Sequence, residues 1–135
     1  MKLLKRLKDA NHIDDACITP LAASSIKDLP KEFFISPAFK ILKSYWHTKG
    51  ILIVIGSIGA VIRLIAPLIS SKDKDPAVIA IDSNGLYVVP LLGGHQAGAE
   101  QISALLAADL GGSSILTGDS HTQRRLALDS FGEAW

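Results

Sequence analysis

Residues 51–69, ILIVIGSIGAVIRLIAPLI, decide the fold of this chain. A run of this length approaches the roughly 20 residues with which an apolar helix crosses a bilayer. Arg63 inside the run and the helix breaker Pro67 argue against a membrane helix, and Gly56 marks a change in the pattern. A buried parallel strand also reads as a continuous apolar run. The stretch therefore predicts a strand over 51–55, a glycine turn and a helix over about 58–69, outside a membrane.

The composition is typical of one small globular domain. The chain has 135 residues, of which 48% are hydrophobic and 20% charged, and its formal net charge is +1. This balance argues against nucleic acid as a partner. The only cysteine is Cys17, so the chain can form neither an internal disulfide nor a cysteine metal cluster, and the histidines lack metal-ligand spacing. We expect a cytoplasmic protein without a metal or cofactor, and without a membrane partner.

The chain divides into two parts at residue 36. Residues 1–35 predict a short helix over 2–9 followed by an irregular segment with an extended piece near 18–22. In residues 36–135, Ser36 and Pro37 are typical of an N-cap and a first helical position. The helix that follows has one apolar stripe, formed by Phe39, Leu42, Tyr45 and Trp46.

The rest of the chain predicts an α/β fold, a small open mixed sheet in β-α-β-β-α-β order with helices on its faces. Strands are expected at 77–81, 86–91 and 114–117, and a helix over 95–110. The Asn84-Gly85 pair predicts a type I′ hairpin between the first two of these strands. A last helical turn is expected at 124–131.

Strand directions divide the candidate residues between two ends of the sheet. A right-handed crossover makes strands 51–55 and 77–81 parallel, and the hairpin then reverses strand 86–91. One end should hold two glycine-rich corners with Arg63 nearby; these corners are 56–57 and 82–85. The other end should hold Asp75, Gly93, Gly94, His95, Asp119 and His121.

The corner at Gly56-Ser57-Ile58-Gly59 is open to two interpretations. It resembles part of a phosphate-cradling turn at a helix N-terminus, but it is also what a tight strand-to-helix turn requires. Arg63 lies on an otherwise apolar helix, and a buried guanidinium needs an anionic partner. That partner is either a carboxylate of a ligand or an aspartate of the chain such as Asp82.

The segment Gly93 to Glu100, GGHQAGAE, is the most informative for chemistry. Its three glycines permit close approach of a large group to the backbone. His95 at the helix entrance can transfer protons near neutral pH, or it can simply cap the helix. A triad of Ser57 with His95 is not expected, because the chain has no G-x-S-x-G elbow.

Three ordered segments resemble the N-terminal domain of the cobalamin biosynthesis protein CbiG, the cobalt-precorrin-5A hydrolase family. They are GAVIRLIAPL at 59–68, DPAV at 75–78 and LLGGHQAGA at 91–99, with the turn from Asp82 to Gly85 between the last two. The resemblance covers about residues 50–130. Gly93, Ala97 and Glu100 stand where the family pattern has serine, glycine and asparagine.

The resemblance implies a role in cobalamin biosynthesis, as part of a hydrolase that opens the corrinoid δ-lactone with release of acetaldehyde. It implies His95 as the proton-transfer group and the Gly93 and Gly94 N–H groups as oxyanion stabilisers. The substrate-binding residues we expect are Arg63, Gly56, Ser57, Gly93, Gly94, Gly98 and Asp119. Expected partners are a cobalt-corrinoid intermediate and a C-terminal CbiG domain or a precorrin methyltransferase. The alternative is a non-catalytic module that binds a tetrapyrrole or a partner protein, such as a module of a protein fused to a precorrin-3B methyltransferase.

Overall fold

The computed structural model describes residues 21–23, 34–48, 50–93 and 98–117. The predicted helix over 2–9 and the last helical turn at 124–131 lie outside these residues. The elements are β1 Leu21–Ala23, β2 Phe34–Ser36, α1 Ala38–Tyr45, β3 Ile51–Ile55, α2 Ile58–Ile65, a 3₁₀ turn Ala66–Leu68, β4 Ala77–Ile81, β5 Tyr87–Leu92, α3 Ala99–Leu110 and β6 Ser113–Ser114.

The main sheet has the predicted topology. Its four strands lie in the order β3-β4-β5-β6. Strand β3 is parallel to β4, β4 is antiparallel to β5, and β5 is parallel to β6. The helices lie on both faces, so the α/β fold class and the open mixed sheet are confirmed. Strands β1 and β2 form a separate parallel pair.

Residues 51–69 fold as a strand, a turn and a helix, as the sequence predicted. Strand β3 ends at Ile55 and helix α2 begins at Ile58, because Ser57 at the N-cap has extended backbone angles. Pro67 lies in the 3₁₀ turn that ends the helix. None of the helices in the described part of the chain has the length and apolar character that a membrane crossing requires.

The core consists of two clusters, one on each face of the sheet, and β4 contributes to both. Ile79 and Ile81 pack under α3, whereas Val78 and Ala80 pack under α1 and α2. All five residues of β4 are buried, which explains their continuous apolar sequence. Of the predicted stripe, Leu42 in α1 and Trp46 at its C-cap are buried, while Phe39 and Tyr45 are each 37% exposed.

Two predictions of local structure are wrong, namely the N-cap of α1 and the central residues of the β4–β5 turn. Helix α1 begins at Ala38 with Pro37 as its N-cap, and Ser36 instead ends β2. The β4–β5 turn is closed by a hydrogen bond from the Gly85 N–H to the Asp82 carbonyl, so it turns around residues 83–84 rather than around the Asn84-Gly85 pair. Gly85 follows the turn at a φ of 70°, a conformation that glycine adopts without strain.

Strand β6 is shorter than predicted, because Pro90 interrupts its ladder with β5. The Ser113 N–H donates to the Leu86 carbonyl and the Ile115 N–H donates to the Val88 carbonyl. The next bond of a parallel ladder would need an N–H at position 90, and proline has none. The strand therefore ends at Ser114 rather than at residue 117.

Candidate functional site

The corner between β3 and α2 presents a helix N-terminus to solvent. The Gly56 N–H donates to the Ile81 carbonyl at 2.9 Å, so the corner lies beside the end of β4. Ser57 caps α2, with its hydroxyl accepting from the Ala60 N–H at 3.4 Å. The N–H groups of the first helical turn have no carbonyl one turn earlier within the helix. Apart from the Ala60 N–H, which Ser57 accepts, these groups are available to an anion at this corner, where Ser57 and Ile58 are exposed.

Arg63 extends back toward this N-terminus. Its Nη1 donates to the Gly59 carbonyl at 3.1 Å, and a Cβ at position 59 would lie 3.3 Å from that nitrogen. The guanidinium is exposed, so the expectation of a buried arginine is wrong. Within the described residues Arg63 forms no ion pair with Asp82. The positive charge therefore remains accessible beside the corner.

The Asp82 side chain forms hydrogen bonds within the neighbouring β4–β5 turn. Its carboxylate accepts the Tyr87 N–H at 2.6 Å and the Asn84 N–H at 3.0 Å. The hydrogen bond from the Tyr87 N–H is the main reason that the pKa of Asp82 lies below its ordinary value, and partial burial opposes it. The carboxylate stays ionised and shapes the turn that borders the corner.

The opposite end of the sheet holds the glycine-rich segment. Gly93 has a φ of 75° and Gly98 a φ of 74°, both in the left-handed region that favours glycine. The Ala99 N–H donates to the Gly93 carbonyl at 3.3 Å, which joins the two ends of the loop where α3 begins. This backbone geometry accounts for two of the glycines without a ligand. Gly94, His95 and Asp119, three of the predicted site residues, lie outside the described residues.

The predicted division between two ends is thus present in the described residues. Gly56 and Ser57 follow the C-terminal end of β3, and Gly93 follows the C-terminal end of β5. Because β5 runs antiparallel to β4 and β3 runs parallel to it, these two positions lie at opposite ends of the sheet. The six residues of β5, at about 3.3 Å each, separate the two ends by about 20 Å. The predicted substrate-binding residues accordingly form two groups. Arg63 belongs with Gly56 and Ser57, and Gly98 belongs with Gly93.

The DPAV segment has a structural explanation. The Asp75 carboxylate accepts hydrogen bonds from the Ser70 N–H at 2.8 Å, from the Ser70 hydroxyl at 3.0 Å and from the Trp46 indole N–H at 3.3 Å. Burial alone raises the pKa of Asp75, but these bonds together hold it below the ordinary value. The side chain thereby ties α1 and the segment after α2 to the start of β4. Sequence spacing gave no signal for the long-range bond to Trp46.

The sequence pattern did not predict that two polar residues of α3 are buried. Glu100 is 8% exposed and Ser103 is fully buried, on the side of the helix that carries Ala107. Their spacing of three and seven residues places all three on one helical face, which is the signal that was available. Glu100 lies in the first turn of α3, next to the glycine-rich segment.

Comparison with known proteins identifies the family. Residues 40–121 match the family described as Cobalamin synthesis G N-terminal, and the chain belongs to this family. The predicted resemblance and the predicted role in cobalamin biosynthesis are thereby confirmed.

Two relatives carry the name cobalt-precorrin-5A hydrolase. The protein from Priestia megaterium is 41% identical over 102 residues, which are 76% of this chain and 27% of the relative. The protein from Salmonella typhimurium is 34% identical over 119 residues, 86% of this chain and 34% of the relative. The chain thus spans about a third or less of the length of these relatives.

A solved structure has the same fold. The crystal structure of a cobalamin biosynthesis protein G homolog from Sulfolobus solfataricus has a TM-score of 0.55 and 28% sequence identity. The match covers 63% of this chain and 27% of that chain.

Proposed function

We propose that this chain is a module of a cobalt-precorrin-5A hydrolase and that it binds a cobalt-corrinoid intermediate. The observation that carries the proposal is the identity of 41% and 34% to two proteins of that name. The reaction proposed for the full assembly is hydrolytic opening of the corrinoid δ-lactone with release of acetaldehyde.

The corner at Gly56 and Ser57 suits the peripheral carboxylates of such a substrate. A helix N-terminus favours an anion, and the Arg63 guanidinium adds a cation with several donors in a planar fork. A Cβ added at Gly56 would meet nothing within 4 Å, so a carboxylate has room to approach. We propose that Arg63, Gly56 and Ser57 bind a carboxylate of the macrocycle.

The glycine-rich end supplies the groups that we propose for the chemistry. His95 would transfer the proton, and the N–H groups of Gly93 and Gly94 would stabilise the oxyanion that water addition creates. We propose Gly98 and Asp119 as further substrate contacts. Because the two ends lie about 20 Å apart along β5, binding and proton transfer are separately testable.

The test of binding is a titration of the purified chain with a cobalt-corrinoid, followed by absorbance. Arg63→Gln should weaken binding about tenfold, the loss typical of one charge-assisted hydrogen bond. Lys72→Gln removes the same charge from the exposed loop after α2 and should change nothing. Equal affinities of the two variants would remove Arg63 from the site.

The test of chemistry is acetaldehyde release from the bound corrinoid. His95→Ala should abolish release and leave the binding titration unchanged, whereas turnover at the wild-type rate would exclude His95 as the proton-transfer group. The alternative function, a binding module without catalysis, is favoured by Gly93, Ala97 and Glu100, which stand where the family pattern has serine, glycine and asparagine. Binding by the wild-type chain without acetaldehyde release would support that alternative.

A further inference from the structure

The sheet face that carries α1 and α2 is covered over only part of its width. The cluster beneath these helices includes Val78 and Ala80 of β4, together with partly buried residues of β3 and the last two residues of β5. Among the described residues, neither the first part of β5 nor β6 contributes to it. The β5–β6 half of this face is therefore left without a helix above it.

The side chains on this half are apolar and exposed. Val89 is the register partner of Ala80, so its side chain lies on the face that α1 and α2 share. Tyr87, two residues earlier in the strand, lies on the same face and is 54% exposed. Tyr87 pairs with Ser113, and Ile115, which is 41% exposed, follows Ser113 by two residues. We call Tyr87, Val89, Ser113 and Ile115 the open face.

Helix α2 borders the open face. Val61 of α2 is buried against the sheet, and a right-handed crossover from β3 to β4 fixes on which side of α2 the strand β5 lies. Successive residues of a right-handed helix turn by about 100°, so Ile62, which follows Val61, points toward β5, and Ile58 one turn earlier points the same way. Ile58 and Ile62 are 43% and 48% exposed. This flank of α2 and the open face together form an apolar recess.

A cation lies at the rim of this recess. None of the four residues of the open face is charged, whereas Arg63 extends its exposed guanidinium toward the N-terminus of α2. The Gly56 N–H donates to the Ile81 carbonyl, and Ile81 pairs with Val88, so this corner lies two strand spacings, about 10 Å, from β5. An apolar recess with a few polar groups at its rim is complementary to a ligand with a hydrophobic body and anionic groups on its periphery.

We propose that the open face and the adjoining flank of α2 hold the macrocycle of a cobalt-corrinoid, with the Tyr87 ring against the macrocycle and a peripheral carboxylate at Arg63. A corrinoid is a broad ring with acidic side chains around its edge, which is the shape and charge that the recess complements. Val89 is the third of the six residues of β5, so a ring above it lies between the two groups of proposed substrate contacts. The inference rests on the proposed function and adds where the ring binds.

The test compares two probes that share a ring. Cobyrinic acid carries carboxylates on its periphery, and cobinamide carries amides in their place. Tyr87→Thr and Ile115→Thr each remove apolar contact area and introduce a β-branched residue that suits a strand. Ile55→Thr is the matched control, because Ile55 is 45% exposed at the same end of the sheet, but its register partner Ile81 is buried under α3, on the opposite face.

Titration followed by absorbance should show that Tyr87→Thr binds both probes about tenfold more weakly, the loss typical of an aromatic contact. Ile115→Thr should also weaken both, Arg63→Gln should weaken cobyrinic acid alone, and Ile55→Thr should bind as the wild-type chain does. Urea midpoints identify a variant that fails to fold, and Ile115→Thr then tests the open face in place of Tyr87→Thr.

The outcomes separate this inference from the proposed function. Wild-type affinity of both Tyr87→Thr and Ile115→Thr would overturn the inference and leave corrinoid binding by the chain intact. Failure of the wild-type chain to bind either probe would overturn the inference together with the proposed function. A dimer of the free chain that Tyr87→Thr dissociates would also overturn the inference, because the open face would then bind a second copy.

Discussion

Substitution of Gly112 offers a direct test of how α3 returns to the sheet. A Cβ at this position would lie 2.6 Å from the Gly85 carbonyl oxygen and 2.7 Å from that of Leu86. Both obstacles are backbone atoms, so relief requires the connection to β6 to move away from the β4–β5 turn. That movement also breaks the hydrogen bond of 2.7 Å from the Ser113 N–H to the Leu86 carbonyl.

The magnitude follows from these two effects. Overpacking against rigid backbone costs about 1–3 kcal/mol, and the lost hydrogen bond about 1 kcal/mol more. Gly112→Ala should therefore lower the free energy of unfolding by about 2–4 kcal/mol, which corresponds to a fall in Tm of about 10 °C. Urea denaturation followed by tryptophan fluorescence, and thermal denaturation followed by circular dichroism, measure both quantities.

Gly56→Ala is the matched control for this experiment. Position 56 has no positive φ, and a Cβ there would meet nothing within 4 Å. The substitution should leave stability unchanged or raise it by up to about 1 kcal/mol, because alanine restricts the unfolded chain. Equal stabilities of Gly112→Ala and Gly56→Ala would refute the argument that Gly112 is required by close approach of the turn.

Three further outcomes are expected. Because the pKa of Asp82 is depressed below 3.8 in the folded state, its contribution to stability is present at neutral pH and is lost as the pH falls below about 4. The urea midpoint of the Asp82→Asn variant should therefore depend less on pH between pH 6 and 3 than that of the wild-type chain. Parallel curves of urea midpoint against pH for the two proteins would contradict this. Ile79→Ala, at a fully buried site, should lower the free energy of unfolding by about 2–5 kcal/mol, whereas Ile62→Ala, at a site that is 48% exposed, should lower it by less than about 1 kcal/mol. Similar decreases for the two variants in urea denaturation would show that the core is not where we place it. Ser57→Asp retains an N-cap acceptor and adds a negative charge at the proposed carboxylate site, so the urea midpoint should be kept while corrinoid affinity falls; unchanged affinity would argue against binding at this corner.

Strong local signals in the sequence predicted most of the main sheet correctly. The apolar runs at 51–55 and 77–81 are strands in the structure, and the two glycines after Leu110 follow the end of α3. The left-handed Gly111, with the Gly112 N–H bonded to the Ala107 carbonyl at 2.8 Å, ends α3 as predicted. The turn at 82–85 was placed correctly, but which residues it turns around depends on the Asp82 side chain accepting two backbone N–H groups.

The candidate site was predicted less completely, because exposure is a tertiary property. Helix α2 is apolar on several sides, so its sequence does not show whether Arg63 or Val61 faces the sheet. Val61 is buried and Arg63 is exposed, since only one side of the helix meets β3 and β4. Likewise, Asp75 lies in the DPAV segment, but its hydrogen bond with the Trp46 indole N–H joins residues that are 29 positions apart in the sequence.

By itself the sequence determined the types and order of the elements from β3 to β6 and the directions of these strands, since hydrophobic period, glycine corners and crossover handedness act over short distances. Only the tertiary structure decided which apolar side chains are covered and which polar groups meet. Burial depends on how far each helix extends across the sheet: α3 covers Ile79 and Ile81 but not their neighbours Ile53 and Ile55, although the residue type is the same. That difference arises from packing between distant segments, which no local pattern encodes.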